Sequence, residues 1–410
     1  MKRSLSSSMP GSDVIQIADS SLVPGEICSL IRERIAPHFP EFLRCNSSAE
    51  LRSLSSYRAL EADIHGVLDG LYSGNFSRGA APARSRYRFV AWNLERGIEY
   101  QGQLDAFRAH PYLADADVYL LTEADIGMAR SGNRAVAQEI AQDLGLHYSF
   151  APCYLNLSKG AGIERKAVGE NELGLHGNAI LSRYPIRSAR PVHLKNGMDK
   201  MRGREKRLGR QAALAAEIEF PNYRATAVAV HLDANSSQTH RSNQMRDIVQ
   251  HLPAGLPVVL GGDWNTSTYN SSRAFYSIFG FWLRVFMGAE NVITNHYLHP
   301  ETRFERDLFR LLEAQRFEYR QSNRMGEPTI QYDVDDPKTR SNMGEWVPNW
   351  CFAFIRWALR RHNGTCPLKL DWFATRGARV ESPVIVRDLR TTDGRPLSDH
   401  AAIGVDIVVE

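Results

Sequence analysis

The 410-residue chain is short of cysteine, of long apolar runs and of net charge, and each shortage excludes something. None of its cysteines, Cys28, Cys45, Cys153, Cys351 and Cys366, forms a CxxC pair. That argues against a zinc knuckle or a dense disulfide framework, and it fits a reducing compartment. No stretch approaches the roughly 18 apolar residues of a membrane span. Met1 to Ser8 carries positive charge without an apolar segment behind it, so no secretory signal is expected and the expected location is the cytoplasm. No internal repeat is found. The formal charge of +4 is too mild to mark a nucleic-acid binder, yet it does not oppose a phosphate-bearing substrate. What remains, 43% hydrophobic and 23% charged residues, is the composition of an ordinary globular protein.

Residues 1 to about 12 are Ser-rich and expected to be disordered. Apolar spacing predicts helices between Leu22 and Leu71, and Ser73 to Arg86 reads as a linker. Residues 1–84 are therefore a helical appendage, expected to pack on the main domain. That domain, 85–410, opens with a strand at Tyr87–Asn93. Further strands are expected at 117–123, 147–155, 177–183, 186–194, 211–220, 223–231, 256–260, 368–373, 378–386 and 401–409. Helices are expected at 104–110, 134–144 and 239–252, with Gly145 as a C-cap. Many strands with few strand–helix alternations argue for packed sheets rather than a doubly wound parallel sheet.

Polar groups stand beside the ends of these strands: Asn93, Glu123, His231, Asp263 with Asn265, and Asp371, while Asp399-His400 precedes the last strand. Gly261-Gly262-Asp263-Trp264-Asn265 taken alone is equally an Asx turn after a buried strand. The whole set suggests one convergent site. Carboxylates with Asn suit a hard octahedral cation, Mg²⁺ or Mn²⁺, better than zinc. Beside a phosphate such an ion neutralises developing charge.

The chain resembles the endonuclease/exonuclease/phosphatase superfamily, the group of deoxyribonuclease I and exonuclease III. The matching residues are Trp92-Asn93-Leu94-Glu95, Thr122-Glu123, Gly177 to Arg183, Val230-His231-Leu232, Gly262 to Asn265, Leu370 to Phe373 and Ser398-Asp399-His400. The resemblance implies an α/β (α+β) fold, a four-layered sandwich of two mixed, mostly antiparallel sheets flanked by helices. It implies a phosphoester-cleaving site with Glu123 as principal metal ligand and Asn93 and Asp399 nearby. Asp263 would orient or deprotonate water, and Asn265 would hold a phosphate oxygen. His400 would contact the phosphate and be held by Asp371, and His231 would be the second imidazole. Glu95 stands where the family often has another polar residue; it is a metal or outer-shell group. Asn178 and Arg183 read as scaffold. Lys200 to Arg207 reads as a solvated basic loop, with a phosphate-rich substrate as the other use.

About 266–367 is a long insertion between Asn265 and Asp371, expected to form part of the rim or a lid. It holds the aromatic run Phe275–Phe286, a charged amphipathic helix at 303–317, and a cluster from Trp346 to Trp357. Either it is a helical subdomain with its own core, or residues 270–365 meet a membrane surface. The expected activity is metal-dependent phosphodiester hydrolysis by direct attack of water. A nucleic acid is the first substrate class. A lipid-directed enzyme, sphingomyelinase-like or acting on inositol phosphates, is the alternative, and a non-catalytic phosphate-binding scaffold is the third reading. Nothing in the sequence indicates an oligomeric state.

Overall fold

The computed structural model describes residues 15–16, 23–268, 283–284, 286–335 and 351–409. One sheet, of eight strands, contains β2 (Tyr72–Asn75), β3 (Arg86–Arg96), β4 (Val118–Ile126), β5 (His147–Asn156), β6 (Leu175–Ser182), β8 (Arg207–Gly209), β15 (Arg379–Val386) and β16 (Ala402–Val408). Its order is β15-β16-β3-β4-β6-β5-β2, with β8 paired to β5 off that path. The other, six-stranded sheet runs β1-β7-β9-β10-β11-β14. Its members are β1 (Ile15–Gln16), β7 (Ile186–His193), β9 (Ala212–Phe220), β10 (Tyr223–His231), β11 (Val258–Asp263) and β14 (Asp371–Arg376). Only β3–β4 and β10–β11 pair in parallel within these sheets, among the described residues.

Alternation along each strand builds the layers. Phe89, Leu120 and Ile180 of the larger sheet meet Leu214, Ala227, Val259 and Phe373 of the other in a buried layer between them. Val90, Trp92, Tyr119 and Leu121, on the opposite face, point outward, onto Phe107 of helix Tyr100–Ala109 and Ile140 of helix Val136–Leu144. On the far side Val228, Val230 and Leu260 meet Met245 and Ile248 of helix Gln238–Gln250. Two sheets between two helical layers make the four-layered α/β sandwich the sequence implied. No helix of the described residues is long and apolar enough to cross a membrane.

The N-terminal helices pack on the larger sheet. Ile31, Ile35, Phe42, Leu60, Ile64 and Val67 share one cluster with Tyr148 and Phe150. The expected linker at 73–86 begins as the edge strand β2 instead, because Tyr72 stacks on Phe150 with centroids 6.2 Å apart and pairs with it across β5. The Ser-rich start, 1–12, lies outside the described residues.

The inserted segment divides. Helix Arg306–Ala314 gives Leu308, Phe309 and Leu312 to the layer outside the six-stranded sheet. A separate cluster forms from Val292, Ile293, Tyr297, Ile330, Val334, Ile355, Leu359 and Leu368. It encloses the pair β12 (Ile330–Asp333) and β13 (Thr365–Leu368). Most of the aromatic run at 275–286, and Trp346 and Trp350, lie outside the described residues.

Three of the site motifs, at Asn93, Asp263 and Asp371, couple a polar residue to a tryptophan on the opposite face. Trp92 joins the outer layer of one sheet, and Trp264 and Trp372 that of the other, all with 1% exposure or less. Trp92 Nε1 donates to His400 O at 3.0 Å, and Trp372 Nε1 to Thr266 Oγ1 at 3.1 Å. The tryptophans thus lock the strands whose neighbouring residues reach the site.

The two glycines of β11 have separate reasons. A Cβ on Gly261 would lie 2.5 Å from a Phe373 ring carbon and 2.8 Å from Leu120 Cδ1, in the layer between the sheets. Gly262 has φ +138°, and a Cβ there would lie 2.2 Å from the Val230 carbonyl oxygen of the paired strand. Gly262→Ala is therefore expected to destabilise the fold by about 1–3 kcal/mol, from the unfavourable φ and the overpacking together. Urea unfolding of the variant measures it, and an unchanged midpoint would contradict it.

Candidate active site

Register brings three site residues into one row. His231 pairs with Asp263 in β10–β11, and Asp263 pairs with Asp371 in β11–β14. All three end or begin a strand of the six-stranded sheet at the same rim. His400 arrives from the loop before β16. Its Nδ1 is 2.8 Å from Asp371 Oδ2, and its Nε2 is 3.7 Å from Asp263 Oδ2. Burial alone would lower the imidazole pKa, but Asp371 and Asp263 outweigh it and hold His400 well above the usual histidine range. His400 lies between two carboxyl groups that favour its charged form.

Asp263 is the junction of the two sheets. Asn93 of β3 donates to its Oδ2 at 3.2 Å. Asn265 donates to Oδ1 through its backbone N–H at 2.8 Å and to Oδ2 through Nδ2 at 3.1 Å. Burial pushes Asp263 up to about 7 against the pull of His400. The same Nδ2 of Asn265 donates to Leu232 O at 2.9 Å. Both amide hydrogens of Asn265 are therefore engaged within the protein. In this structure Asn265 fixes Asp263.

The acidic corner is built by bulges, not by strand ends. β3 and β4 were expected to stop at Asn93 and Glu123, but they continue to Arg96 and Ile126. Register slips between Asn93 and Arg96, and between Leu121 and Ala124. Glu95, Arg96 and Glu123 take φ of 46°, 69° and 52° at these slips. Such left-handed backbone is costly for residues with side chains and tends to gather at functional sites. The bulges aim Glu123 at the rim and leave Thr122 and Ala124 in the core.

Glu123 Oε1 lies 3.8 Å from His231 Nε2, and Glu123 Oε2 lies 3.8 Å from Arg96 Nε. Burial would raise its pKa, but Arg96 and His231 hold the carboxyl far below the usual range. His231 Nε2 is also 3.7 Å from Asp263 Oδ2. Burial depresses this imidazole to about 4, so His231 is neutral where His400 is charged. Glu95 N–H donates to Asn93 Oδ1 at 2.9 Å, and Glu95 Oε2 accepts from the Asp399 N–H at 3.2 Å. Asp399 itself is exposed, and its link to the corner runs through its backbone.

Among the described residues one cluster of side chains has the spacing to hold a cation. Asp263, Asp371 and His400 bring ligand atoms within 4.8 Å of one another. A cation there would compete with the charged form of His400 that Asp371 and Asp263 favour. Glu123, expected as the principal metal ligand, lies outside that cluster, as do Glu95 and Asp399. Among the described residues the Glu123 carboxylate accepts no hydrogen bond and has only long charge contacts, to His231 and Arg96. A carboxylate of this kind suits a hard divalent ion.

The endonuclease/exonuclease/phosphatase family profile matches residues 90–400. The chain belongs to that family. Its members are generally phosphoester hydrolases and typically use divalent metals. The uncharacterized protein YbhP of Escherichia coli strain K12 is 30% identical over 147 residues, 34% of this chain and 50% of YbhP. The chain thus spans about half the length of the curated relatives it matches. A similar solved structure is an endonuclease/exonuclease/phosphatase from Beutenbergia cavernae DSM 12333, at 16% identity and TM-score 0.46, covering 80% of this chain and 72% of that one. Another is D. rerio TDP2 complexed with single strand DNA product, at 12% identity and TM-score 0.42, covering 80% and 100%.

Several residues around the site carry no signal strong enough to be singled out in the sequence. Arg96 borders the first motif, Asp125 lies two residues past Glu123, and His176 immediately precedes Gly177. His176 Nδ1 is 2.8 Å from Asp125 Oδ1, and Arg130 binds the same carboxylate with Nε at 2.7 Å and Nη2 at 3.0 Å. Thr329 is another. Its Oγ1 accepts from the N–H groups of Leu370 at 3.0 Å and Asp371 at 3.1 Å, and its carbonyl accepts from Ala401. The insertion therefore holds the backbone on both sides of the Asp371–His400 pair. Adjacency to a motif could have nominated the first three; nothing local marks Thr329. Asn178 and Arg183 serve the scaffold, donating to Ala212 O at 2.7 Å and to Ala116 O at 2.7 Å.

Proposed function

We propose that the chain is a divalent-metal-dependent phosphodiesterase that hydrolyses a P–O bond by direct attack of water, without a covalent intermediate. The observation that carries this reading is the row His231–Asp263–Asp371, closed by an imidazolium on one side and faced by an uncommitted carboxylate on the other. Asp263, fixed by Asn93 and Asn265, orients the attacking water and takes its proton. His400, held by Asp371, offers its positive Nε2–H side to a phosphoryl oxygen whose charge grows in the transition state. Neutral His231 stands beside Asp263 and Glu123, placed to assist the pentacoordinate state or the leaving oxygen. Glu123, Asn93, Glu95 and Asp399 would hold Mg²⁺ or Mn²⁺, which when bound neutralises charge on the phosphoryl group. No side chain among these is a nucleophile set against a base in the manner of covalent hydrolases.

Hydrolysis of bis(p-nitrophenyl) phosphate and of plasmid DNA, with Mg²⁺, Mn²⁺ or EDTA, tests the reading. Turnover is expected with either metal and should vanish in EDTA; activity that survives chelation would sink the metal dependence. Glu123→Gln should lower metal-dependent turnover by about 10²–10³-fold, the scale of one lost electrostatic group. Its far-UV circular dichroism should stay that of the parent.

A nucleic acid is the first substrate class. A lipid-directed phosphodiester is the second reading, supported by Phe286 and Trp357 of the insertion, 83% and 62% exposed. Large apolar groups at the surface mark interaction sites when they gather in a patch. Sedimentation with phosphatidylcholine vesicles separates the two: binding that Trp357→Ala abolishes favours a lipid, and no sedimentation favours a nucleic acid.

A further inference from the structure

The basic run at 200–207 is only in part the solvated loop its composition suggests: Arg202 and Arg204 are exposed. Met201 and Glu205 are buried, Lys200 Nζ pairs with Asp233 Oδ2 at 3.1 Å, and Arg207 Nη2 pairs with Glu205 Oε2 at 3.0 Å. The other two cations after Arg202, Arg204 and Lys206, line a cavity of about 250 Å³ together with Leu43, Ser158, Lys159 and Arg165. Among the described residues that lining has four cations, one hydroxyl and no carboxylate.

Lys206 and Arg165 are held in place by neutral groups. Lys206 Nζ donates to Leu43 O and Cys45 O, both at 2.7 Å, and to Asn46 Oδ1 at 3.4 Å. The acceptors are the carbonyls just beyond helix Phe39–Phe42, so the N-terminal segment positions this ammonium without cancelling its charge. Arg165 is exposed and donates through Nη2 to Arg204 O at 3.1 Å. Lys159 Nζ donates to Ala167 O and Gly169 O at 3.0 Å each and reaches Glu170 Oε1 at 3.4 Å; that carboxylate is 86% exposed. Like charges gathered around a concave space focus a positive potential into it. Guanidinium and ammonium groups together suit a phosphate, the first by paired N–H donors and the second as a point charge.

The cavity is joined to the acidic corner through one buried network. Arg165 follows Glu164, whose Oε1 is 3.2 Å from Arg96 Nε, the group facing Glu123. Arg204 precedes Glu205, and Arg130 Nη1 binds both Glu164 and Glu205, at 3.0 Å and 2.8 Å.

We propose that this cavity is a second phosphate site, distinct from the hydrolytic centre, which takes the phosphate group of a phosphorylated ligand. The N-terminal helical segment supplies one wall of it and the anchor for Lys206. Its ligand chemistry is a phosphate monoester or free phosphate, carried in solution or on a lipid headgroup.

Calorimetric titration of the full chain with inorganic phosphate in metal-free buffer tests the solution source. Sedimentation with phosphatidic acid vesicles, against phosphatidylcholine vesicles, tests the headgroup source. Binding of either phosphate probe is expected to weaken at least tenfold in Arg165→Glu and in Lys159→Gln, and to be the same in Glu123→Gln as in the parent. Among the described residues Arg165 has a single hydrogen bond, to a carbonyl, so its variant should unfold at the parent temperature. Parent-like binding of both probes by both variants, or no binding of either probe by the parent, overturns the proposal. Neither arm measures hydrolysis, so a chain that binds phosphate here but cleaves no phosphoester would defeat the proposed activity alone.

Discussion

Asp263→Asn is expected to lower hydrolysis of bis(p-nitrophenyl) phosphate by about 10²–10⁴-fold, the contribution of a positioned general base. The change keeps the shape and removes the charge. Oδ1 can still accept the Asn265 N–H, which is 2.8 Å away. At the other position an amide nitrogen would replace Oδ2, which now accepts from Asn93 at 3.2 Å and Asn265 at 3.1 Å and faces His400 Nε2 at 3.7 Å. Three donors would then meet a donor. The local conflict costs about 1–3 kcal/mol, small beside what four buried layers supply, so the chain should remain folded. The informative contrast is with Asn265→Ala, which removes only the group that fixes Asp263. It should lose less turnover than Asp263→Asn. Equal loss in both variants would make orientation, not proton acceptance, the function of Asp263. Full turnover in Asp263→Asn would remove this carboxylate from the chemistry altogether.

The largest effect on stability is expected from Arg130→Met. The Arg130 side chain is 2% exposed and binds three carboxylates: Asp125 in bidentate fashion, Glu164 and Glu205. Removing one partner of a buried ion pair costs about 3–5 kcal/mol, because the charges left behind stay out of water. Here the carboxylates of Asp125, Glu164 and Glu205 would remain, with the Arg96 and Arg207 guanidiniums and the His176 imidazole as their nearby partners among the described residues. The pH dependence gives the sign. Burial would raise Glu205, but Arg207 and Arg130 pull it down to about 2. A depressed carboxyl stabilises the fold fully above its unfolded pKa, here 4.5, and loses that contribution as pH falls toward about 2. In Arg130→Met the Asp125 and Glu205 carboxyls lose that pull and rise, so acid protonates and relieves them. The stability gap between parent and variant should be widest near neutral pH and narrow as pH falls below about 4.5. Urea unfolding at several pH values measures the gap; a gap that widens in acid would contradict the assignment. Because Arg96 ties this network to Glu123, the same variant should also weaken any metal-dependent turnover.

Strand positions were readable because each strand's apolar alternation is local. Ala225, Ala227 and Ala229 face one layer and Val228 and Val230 the other, and this period of two stands in the sequence itself. The polar residues that gather at the rim are readable for the same reason: each stands next to a buried tryptophan or an apolar run. The helical surroundings were less so. Tyr72 to Asn75 carries glycine and serine and looks like a connection, yet Phe150 and Ser149 across the gap make it a strand.

By itself, then, the chain of residues determined the layers, the order of the strands along it, and which acids, amides and imidazoles stand at their ends. Tertiary structure decided what those groups face. The bulges that turn Glu95, Arg96 and Glu123 arise from register slips against neighbouring strands, and a slip has no local signature. Asn265 became a support for Asp263 because the Leu232 carbonyl of the parallel neighbour lies within reach. Charges at 125, 130, 164 and 205 form one network only because loops far apart in the chain close over the same strand end. Hydrophobic period is written residue by residue. The partner of a buried charge is chosen by the fold, since leaving it unpaired would cost more than any local preference could offset.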